Sequence, residues 1–184
     1  MLQQEFGDVL FTDYGVSGSC ILDVSRVVAK NLLEKNEVNL KLDLLPTMSK
    51  EKLKTFLLQR QKNAYDKSIP LWLDGFINSK LSKFFAREFG SKLARELNPK
   101  EIMKLCFSLK EFRLHVKDTK GFKNAEVSAG GVNVDEINQQ SLESKLQKGL
   151  FFSGEVLDVD GDCGGYNLHW AWASGFCVGK SMVQ

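Results

Sequence analysis

The tightest constraint in this chain is the run from Gly149 to Gly175, where an apolar stretch, a carboxylate, a glycine-rich turn and a helical pattern follow one another. Leu150 to Ser153 is short and apolar and stops at Gly154, the pattern of a buried strand in a parallel sheet. Glu155 then falls at the carboxyl end of that strand, where open α/β sheets place their ligands. The turn from Gly161 to Gly165 is too rich in glycine for an ordinary connection. Glycine there permits positive φ and lets a ligand come close to the backbone. A helix is expected straight after it. The first-turn amides near Tyr166 to Leu168 have no intrahelical acceptor and present about half a positive charge to whatever lies in front. An anion or an electron-rich ring suits that place.

The 184 residues suffice for one sizeable domain or parts of two, and 43% hydrophobic with 26% charged residues is ordinary for a globular chain. A net charge of +2 gives no reason to expect nucleic acid or an anionic membrane as partner, although the lysine-rich centre is locally basic. No apolar run approaches the roughly 20 residues that span a bilayer, and the first residues lack a signal-peptide pattern, so a cytoplasmic protein is expected. Cys20, Cys106, Cys163 and Cys177 form no Cys-x-x-Cys pair, and His115 and His169 are the only imidazoles. No metal site is legible, and the cysteines read as buried reduced thiols.

Along the chain, Asp8 to Thr12 reads as a strand, and Cys20 to Leu33 as a helix with Ile21, Val24, Val28 and Leu32 on one side, capped by Ser17 or Ser19. Val38, Leu40, Leu42 and Leu44 alternate with polar residues, as in a half-buried strand. Three amphipathic helices are then expected. The first opens at Ser49. The second follows Pro70 and runs on through Leu73, Phe76, Ile77, Leu81, Phe84 and Phe85. The third starts at Asn98-Pro99-Lys100-Glu101, a capping box with proline in the first turn, and turns Ile102, Leu105, Cys106 and Leu109 inward. Phe112, Leu114 and Val116 return the chain to strand with His115 on the polar side. Ala125 to Val132 reads as another strand, running into the pair Gly130-Gly131, which alone also suits a β-bulge or hairpin turn.

Several of these stretches resemble FAD-dependent oxidoreductases, in particular the HI0933-like (aminoacetone oxidase-like) flavoproteins. The resemblance is sharpest from residue 125 to 179. It rests on Gly149 to Asp162 (Gly-Leu-Phe-Phe-Ser-Gly-Glu-Val-Leu-Asp-Val-Asp-Gly-Asp), on Gly164-Gly165-Tyr166-Asn167-Leu168 and the Trp-Ala-rich helix, on Ala129-Gly130-Gly131-Val132, and on Glu143-Ser144-Lys145. Phe11-Thr12-Asp13-Tyr14-Gly15-Val16-Ser17-Gly18 is similar to a further family stretch, with Asp13 where histidine is common and Ser19 where proline is common.

The resemblance implies that Glu155, after Gly154, hydrogen-bonds ribityl or ribose hydroxyls of FAD. The amides of Gly164, Gly165, Tyr166, Asn167 and Leu168 would face the pyrimidine edge of the isoalloxazine, and Gly130 and Gly131 would lie near its reactive side. It also implies an α/β fold with an inserted domain. Residues 1–46 would belong to an inserted β domain, 47–109 to a helical bundle, 110–122 to a return strand, and 123–184 to the carboxyl-terminal part of a two-part Rossmann-like FAD-binding domain.

The Gly-x-Gly-x-x-Gly turn that holds the FAD diphosphate does not occur in this sequence. The expectation is therefore the carboxyl-terminal portion of a longer oxidoreductase, inactive alone. Its partners would be the missing amino-terminal dinucleotide-binding part, NAD(P)H and a small-molecule substrate. Ala171, Gly175 and Gly179 recur every four residues as a flat stripe, suited either to a helix of that missing part or to packing on the chain's own sheet. No catalytic acid, base or nucleophile can be assigned. Cys163, just before a helix amino end, occupies a place that lowers a thiol pKa, although relatives often have threonine there. His169 stands where glutamine is common.

Two readings compete with this one. Asp158, Asp160 and Asp162 match the start of an EF-hand calcium loop, but Cys163 takes the glycine position and His169 that of the bidentate glutamate. The other is an inert folded remnant whose helical bundle only mediates contacts.

Overall fold

A computed structural model describes residues 1–183. They divide into two units: Met1–Val38 together with the chain from Val116 onward, and Asn39–His115. The architecture is mixed α and β, with strands in two two-stranded sheets among the described residues. Among those residues no helix is long and apolar enough to cross a membrane.

The first unit opens with β1 (Leu10–Thr12) and β2 (Gly15–Ser17), an antiparallel hairpin in register Leu10 to Ser17, followed by α1 (Ser19–Leu33). Neither Ser17 nor Ser19 caps α1. The cap is Gly18, at φ 112°, where a Cβ would stand 2.1 Å from the carbonyl oxygen of Asp8. Only a residue without a side chain fits there.

β3 (Val38–Leu42) leads into the second unit. There α2 (Lys50–Lys62) starts where the Ser49 hydroxyl accepts from the Lys52 amide at 3.2 Å. The single helix expected after Pro70 is two, α3 (Ile69–Leu73) and α4 (Ser79–Ala86). Gly75 at φ 77° turns the chain, and the Asn78 side chain caps the new start by accepting from the Lys80 amide at 2.9 Å. Arg60 satisfies carbonyls exposed at the break, donating to Trp72 at 2.8 Å and Asp74 at 3.0 Å.

α5 (Pro99–Lys110) forms the expected capping box: Asn98 Oδ1 accepts from the Lys100 and Glu101 amides, and Glu101 Oε2 from the Asn98 amide. β4 (Phe112–Val116) then hydrogen-bonds to β3. The core of this unit includes Leu53, Leu57, Ile69, Trp72, Leu73, Ile102, Leu105 and Leu109. Buried Lys110 is matched by Asp43 at 2.6 Å and by the carbonyls of Leu45 and Met48.

Back in the first unit, the chain is irregular until α6 (Tyr166–Met182). A smaller core gathers Ile137, Leu142 and Leu157, with Trp170 and Val178 packed against it. Neither strand expected here forms. Phe151 makes an isolated antiparallel bridge to Glu143, because the chain reverses at Leu142 (φ 60°) and gives 150–152 a local partner instead of a parallel neighbour. Of 125–132, only Val132 joins a bridge, to Leu157.

Candidate functional site

Two successive glycines, Gly164 at φ 120° and Gly165 at φ 91°, swing the chain into α6, and no side chain caps the helix. The first amide with an acceptor is His169, bonded to the Gly165 carbonyl at 3.0 Å. The amides of Gly164, Gly165, Tyr166, Asn167 and Leu168 have no partner among the described residues. The preceding loop is nonetheless firmly held. Asn167 and Gly161 exchange two hydrogen bonds, at 2.8 and 2.9 Å. From α1, Asp23 accepts from the Cys163 amide at 2.7 Å, and Arg26 pairs with Asp160 at 3.1 Å. A fixed loop thus leads into a helix end whose donors remain available.

Glu155 lies in a short 3-10 turn, Gly154–Val156, instead of at a strand end. Its Oε1 accepts from the Ser128 amide at 2.6 Å. Nearby, Asp158 accepts from the Gly130 amide at 2.9 Å, and Val132 exchanges backbone bonds with Val156 and Asp158. The two carboxylates therefore hold the segment with the second glycine pair. Segment 125–131 bonds to these side chains where a strand would bond to a neighbouring backbone, which is why no strand forms. At Gly131 a Cβ would lie 2.5 Å from the Val156 carbonyl oxygen, whereas at Gly130 it would meet nothing within 4 Å.

The Gly154 turn is fastened to the middle of α6. Its amide donates to the Ser174 hydroxyl at 2.8 Å, and its carbonyl accepts from the Trp170 indole at 3.2 Å. Ser174 is the buried residue of α6. Sequence reasoning passed over Ser174, although one hydroxyl residue amid an apolar helix is a signal. Asp23 gave none, and Asp158 suggested only a calcium loop, since the partners of both are distant in sequence.

Apart from Trp170 and Val178, which pack on the smaller core, most of α6 faces outward. Leu168, Trp172 and Phe176 are 71%, 81% and 73% exposed, and Cβ atoms at Gly175 and Gly179 would meet nothing within 4 Å. The stripe is thus open at its two glycines, while Ala171 lies 3.8 Å from where a Cβ at Gly154 would stand.

Burial pushes the Cys163 thiol up, and the hydrogen bond and charge of Asp23 add to the shift, with Glu126 and Asp162 contributing further. This reverses the lowering expected beside a helix amino end. Cys20 and Cys106 are buried, while Cys163 is half-buried and Cys177 exposed. The three loop aspartates do not converge: Asp158 serves Gly130 and Asp160 serves Arg26, and no group of metal-capable side chains occurs among the described residues.

A family model described as the HI0933-like protein barrel and H2TH domain matches residues 2–127. The chain is 36% identical over 191 residues to a 3-dehydro-bile acid delta(4,6)-reductase of Clostridium scindens, an alignment covering 100% of this chain and 46% of that protein. It is 30% identical over 179 residues to a ribosomal RNA dihydrouridine synthase of Escherichia coli, covering 96% and 42%. For the enzyme of the same name from Haemophilus influenzae the values are 29% over 187 residues, covering 97% and 43%. The chain spans less than half the length of these relatives.

Proposed function

The chain belongs to the HI0933-like family, and from that premise we propose that it is the carboxyl-terminal portion of a FAD-dependent oxidoreductase. In this reading residues 123–184 complete a two-part Rossmann-like FAD-binding domain, and the preceding residues supply part of an inserted β domain (1–46 and 110–122) and its helical bundle (47–109). The observation that carries it is the uncapped start of α6, with five free amides behind two glycines at positive φ.

The residues fit a flavin. Free N–H groups at a helix amino end stabilise negative charge in front of them, and the pyrimidine edge of a flavin gains negative charge on reduction. Glu155 keeps one oxygen on Ser128 and has its second free for a ribityl or ribose hydroxyl. Gly130 has open space where a side chain would stand, which lets the ring approach that backbone. When bound, the flavin supplies the hydride chemistry, with NAD(P)H as the proposed donor. The relatives' names, a delta(4,6)-reductase and a dihydrouridine synthase, both describe addition of hydrogen. An unsaturated bond is therefore the proposed target, carried by a small molecule as in the first name, whereas the second name puts it in ribosomal RNA.

This half-site is weak alone. A charged hydrogen bond from Glu155 contributes roughly 1.5 to 3 kcal/mol, a helix end about 0.3 to 1, and micromolar binding needs about 8. The purified chain is expected to be colourless. Adding a separately expressed amino-terminal dinucleotide-binding part and FAD is expected to give bound flavin absorption, which Gly165→Val in this chain abolishes. Failure of complementation would favour an inert remnant.

A further inference from the structure

The start of α1 is fixed to the chain before β1. Gly18 packs against the Asp8 carbonyl, and the Cys20 thiol donates to the same carbonyl at 3.4 Å. Asp23 and Arg26, three residues apart and so on one side of α1, then reach the loop that precedes α6. Asp23 accepts from the Cys163 amide at 2.7 Å, and Arg26 pairs with Asp160 at 3.1 Å. Apart from the two bonds that Gly161 exchanges with Asn167 in the first turn of α6, the hydrogen bonds and ion pairs of 160–163 among the described residues run to α1.

Asp160 depends on this contact. Its side chain is 12% exposed, and Oδ1 is buried without a hydrogen-bond partner, which leaves Arg26 on Oδ2. Removing the guanidinium would strand a nearly buried charge, a costly arrangement. α1 also lies within the stretch that the barrel and H2TH model matches, residues 2–127, whereas the glycine loop lies outside it. The two contacts thus tie one part of the family architecture to the other.

We propose that Asp23 and Arg26 are positioning residues for the flavin: from α1 they set where the amides of 164–166 stand against the ring, and so how strongly the site favours reduced flavin. The inference rests on the flavin reading of α6 given above. Those amides hang between the contacts on α1 and a helix body fastened at Trp170 and Ser174, and no side chain caps them. Fixed dipoles stabilise a developing charge only if they are held in place before it forms. A loop released from α1 would turn the same amides to water.

The test has two arms. The first is amide hydrogen exchange in the chain alone and needs no flavin. Asp23→Ala is expected to speed exchange at Cys163 about tenfold or more, as loss of a charged hydrogen bond implies. It should also speed Gly161, because the loop moves as one piece. Asp23→Asn keeps an acceptor oxygen for the Cys163 amide and should restore both. Arg26→Ala cuts the other contact and should speed Gly161 by itself, so this arm stands even where Asp23→Ala fails to fold. Ser25→Ala, whose hydroxyl bonds the Leu22 carbonyl of α1 itself at 2.6 Å, is the control and should change neither amide. The second arm is the reduction potential of flavin bound by the complemented protein. Asp23→Ala and Asp23→Asn remove the same charge, so a difference between them reports position. The alanine variant should lie about 30 mV lower, a tenfold weaker preference for reduced flavin in a two-electron couple. Faster exchange confined to Cys163, with Gly161 unchanged, overturns the proposal, because Asp23 then satisfies a single amide. Equal potentials in the two variants overturn it as well. A parent that binds no flavin on complementation refutes the flavin reading and this inference with it, and the first arm tells that outcome apart from a failure of the contacts themselves.

Discussion

Ser174→Ala tests how the Glu155 turn is held on α6. The hydroxyl has two roles. It accepts from the Gly154 amide at 2.8 Å, and it donates to the carbonyls of Trp170 at 2.6 Å and Ala171 at 3.2 Å. The donation is to helix carbonyls that the α6 ladder also serves, so losing it costs little. The acceptor role matters more, because alanine leaves the Gly154 N–H without a partner. An unsatisfied buried donor costs about 1 to 3 kcal/mol. Gly154 is half-buried, so water offsets part of this, and about 1 to 1.5 kcal/mol remains. The Trp170 indole still holds the Gly154 carbonyl, so the loss is local opening of the turn. Amide hydrogen exchange read by NMR should therefore show Gly154 exchanging about tenfold faster, the equivalent of 1.4 kcal/mol. Ser181→Ala is the control: its exposed hydroxyl bonds only the Cys177 carbonyl, and its cost should stay within about 0.5 kcal/mol. Unchanged exchange at Gly154 in Ser174→Ala, or an equal cost for both substitutions, would refute the reasoning.

Gly18→Ala should destabilise the chain by more than about 2 kcal/mol in urea denaturation, since it combines a backbone clash with a φ that side chains avoid. Gly15→Ala, also at positive φ but in open space, should cost about 1 kcal/mol. Iodoacetamide should label Cys177 ahead of Cys163 at neutral pH, and Asp23→Asn should move the Cys163 alkylation profile to lower pH by removing a hydrogen bond and a charge that raise its pKa. Hydrogen bonds from Lys92 to Glu101 and from Lys50 to Glu111 hold both carboxyls below their usual range. With folded pKa values below the unfolded ones, this stabilisation is complete above the ordinary glutamate range and is lost as pH falls through the folded values. Acid titration of thermal stability checks it, and added salt should flatten the effect.

What could be read in advance was what neighbours in sequence decide. The Asn98 to Glu101 box closes within four residues, and Ile102, Leu105, Cys106 and Leu109 lie on one face, so α5 and its buried side were legible. The break between α3 and α4 was not. Leu73, Phe76, Ile77 and Leu81 keep a helical spacing across it because all of them meet the same core. In the first unit the glycine turn and the helix after it were legible from composition. The attachment of Glu155 to Ser128 and of Asp158 to Gly130 joins residues 27 and 28 positions apart, beyond any periodic signal.

α6 reverses the usual arrangement of a helix at a protein surface, with a hydroxyl side chain buried and Leu168, Trp172 and Phe176 outward. Burying three such side chains is worth about 1.5 to 3 kcal/mol each, or roughly 4.5 to 9 in total. Docking a separate body costs an estimated 4 to 15 kcal/mol of translational and rotational freedom. The exposed face alone therefore sits near balance when its cover is a separate molecule. The free amides of the first turn add little until a ligand stands before them, and under the proposed function the ligand in turn needs the cover to supply the rest of its site. Cover and cofactor should thus bind cooperatively, and complementation should depend steeply on the concentrations of both. Joining the two parts in one chain raises the effective concentration of the cover to the millimolar range with a short linker. Flavin retention should then no longer depend on protein concentration, whereas a cover that bound equally well with and without FAD would contradict this coupling.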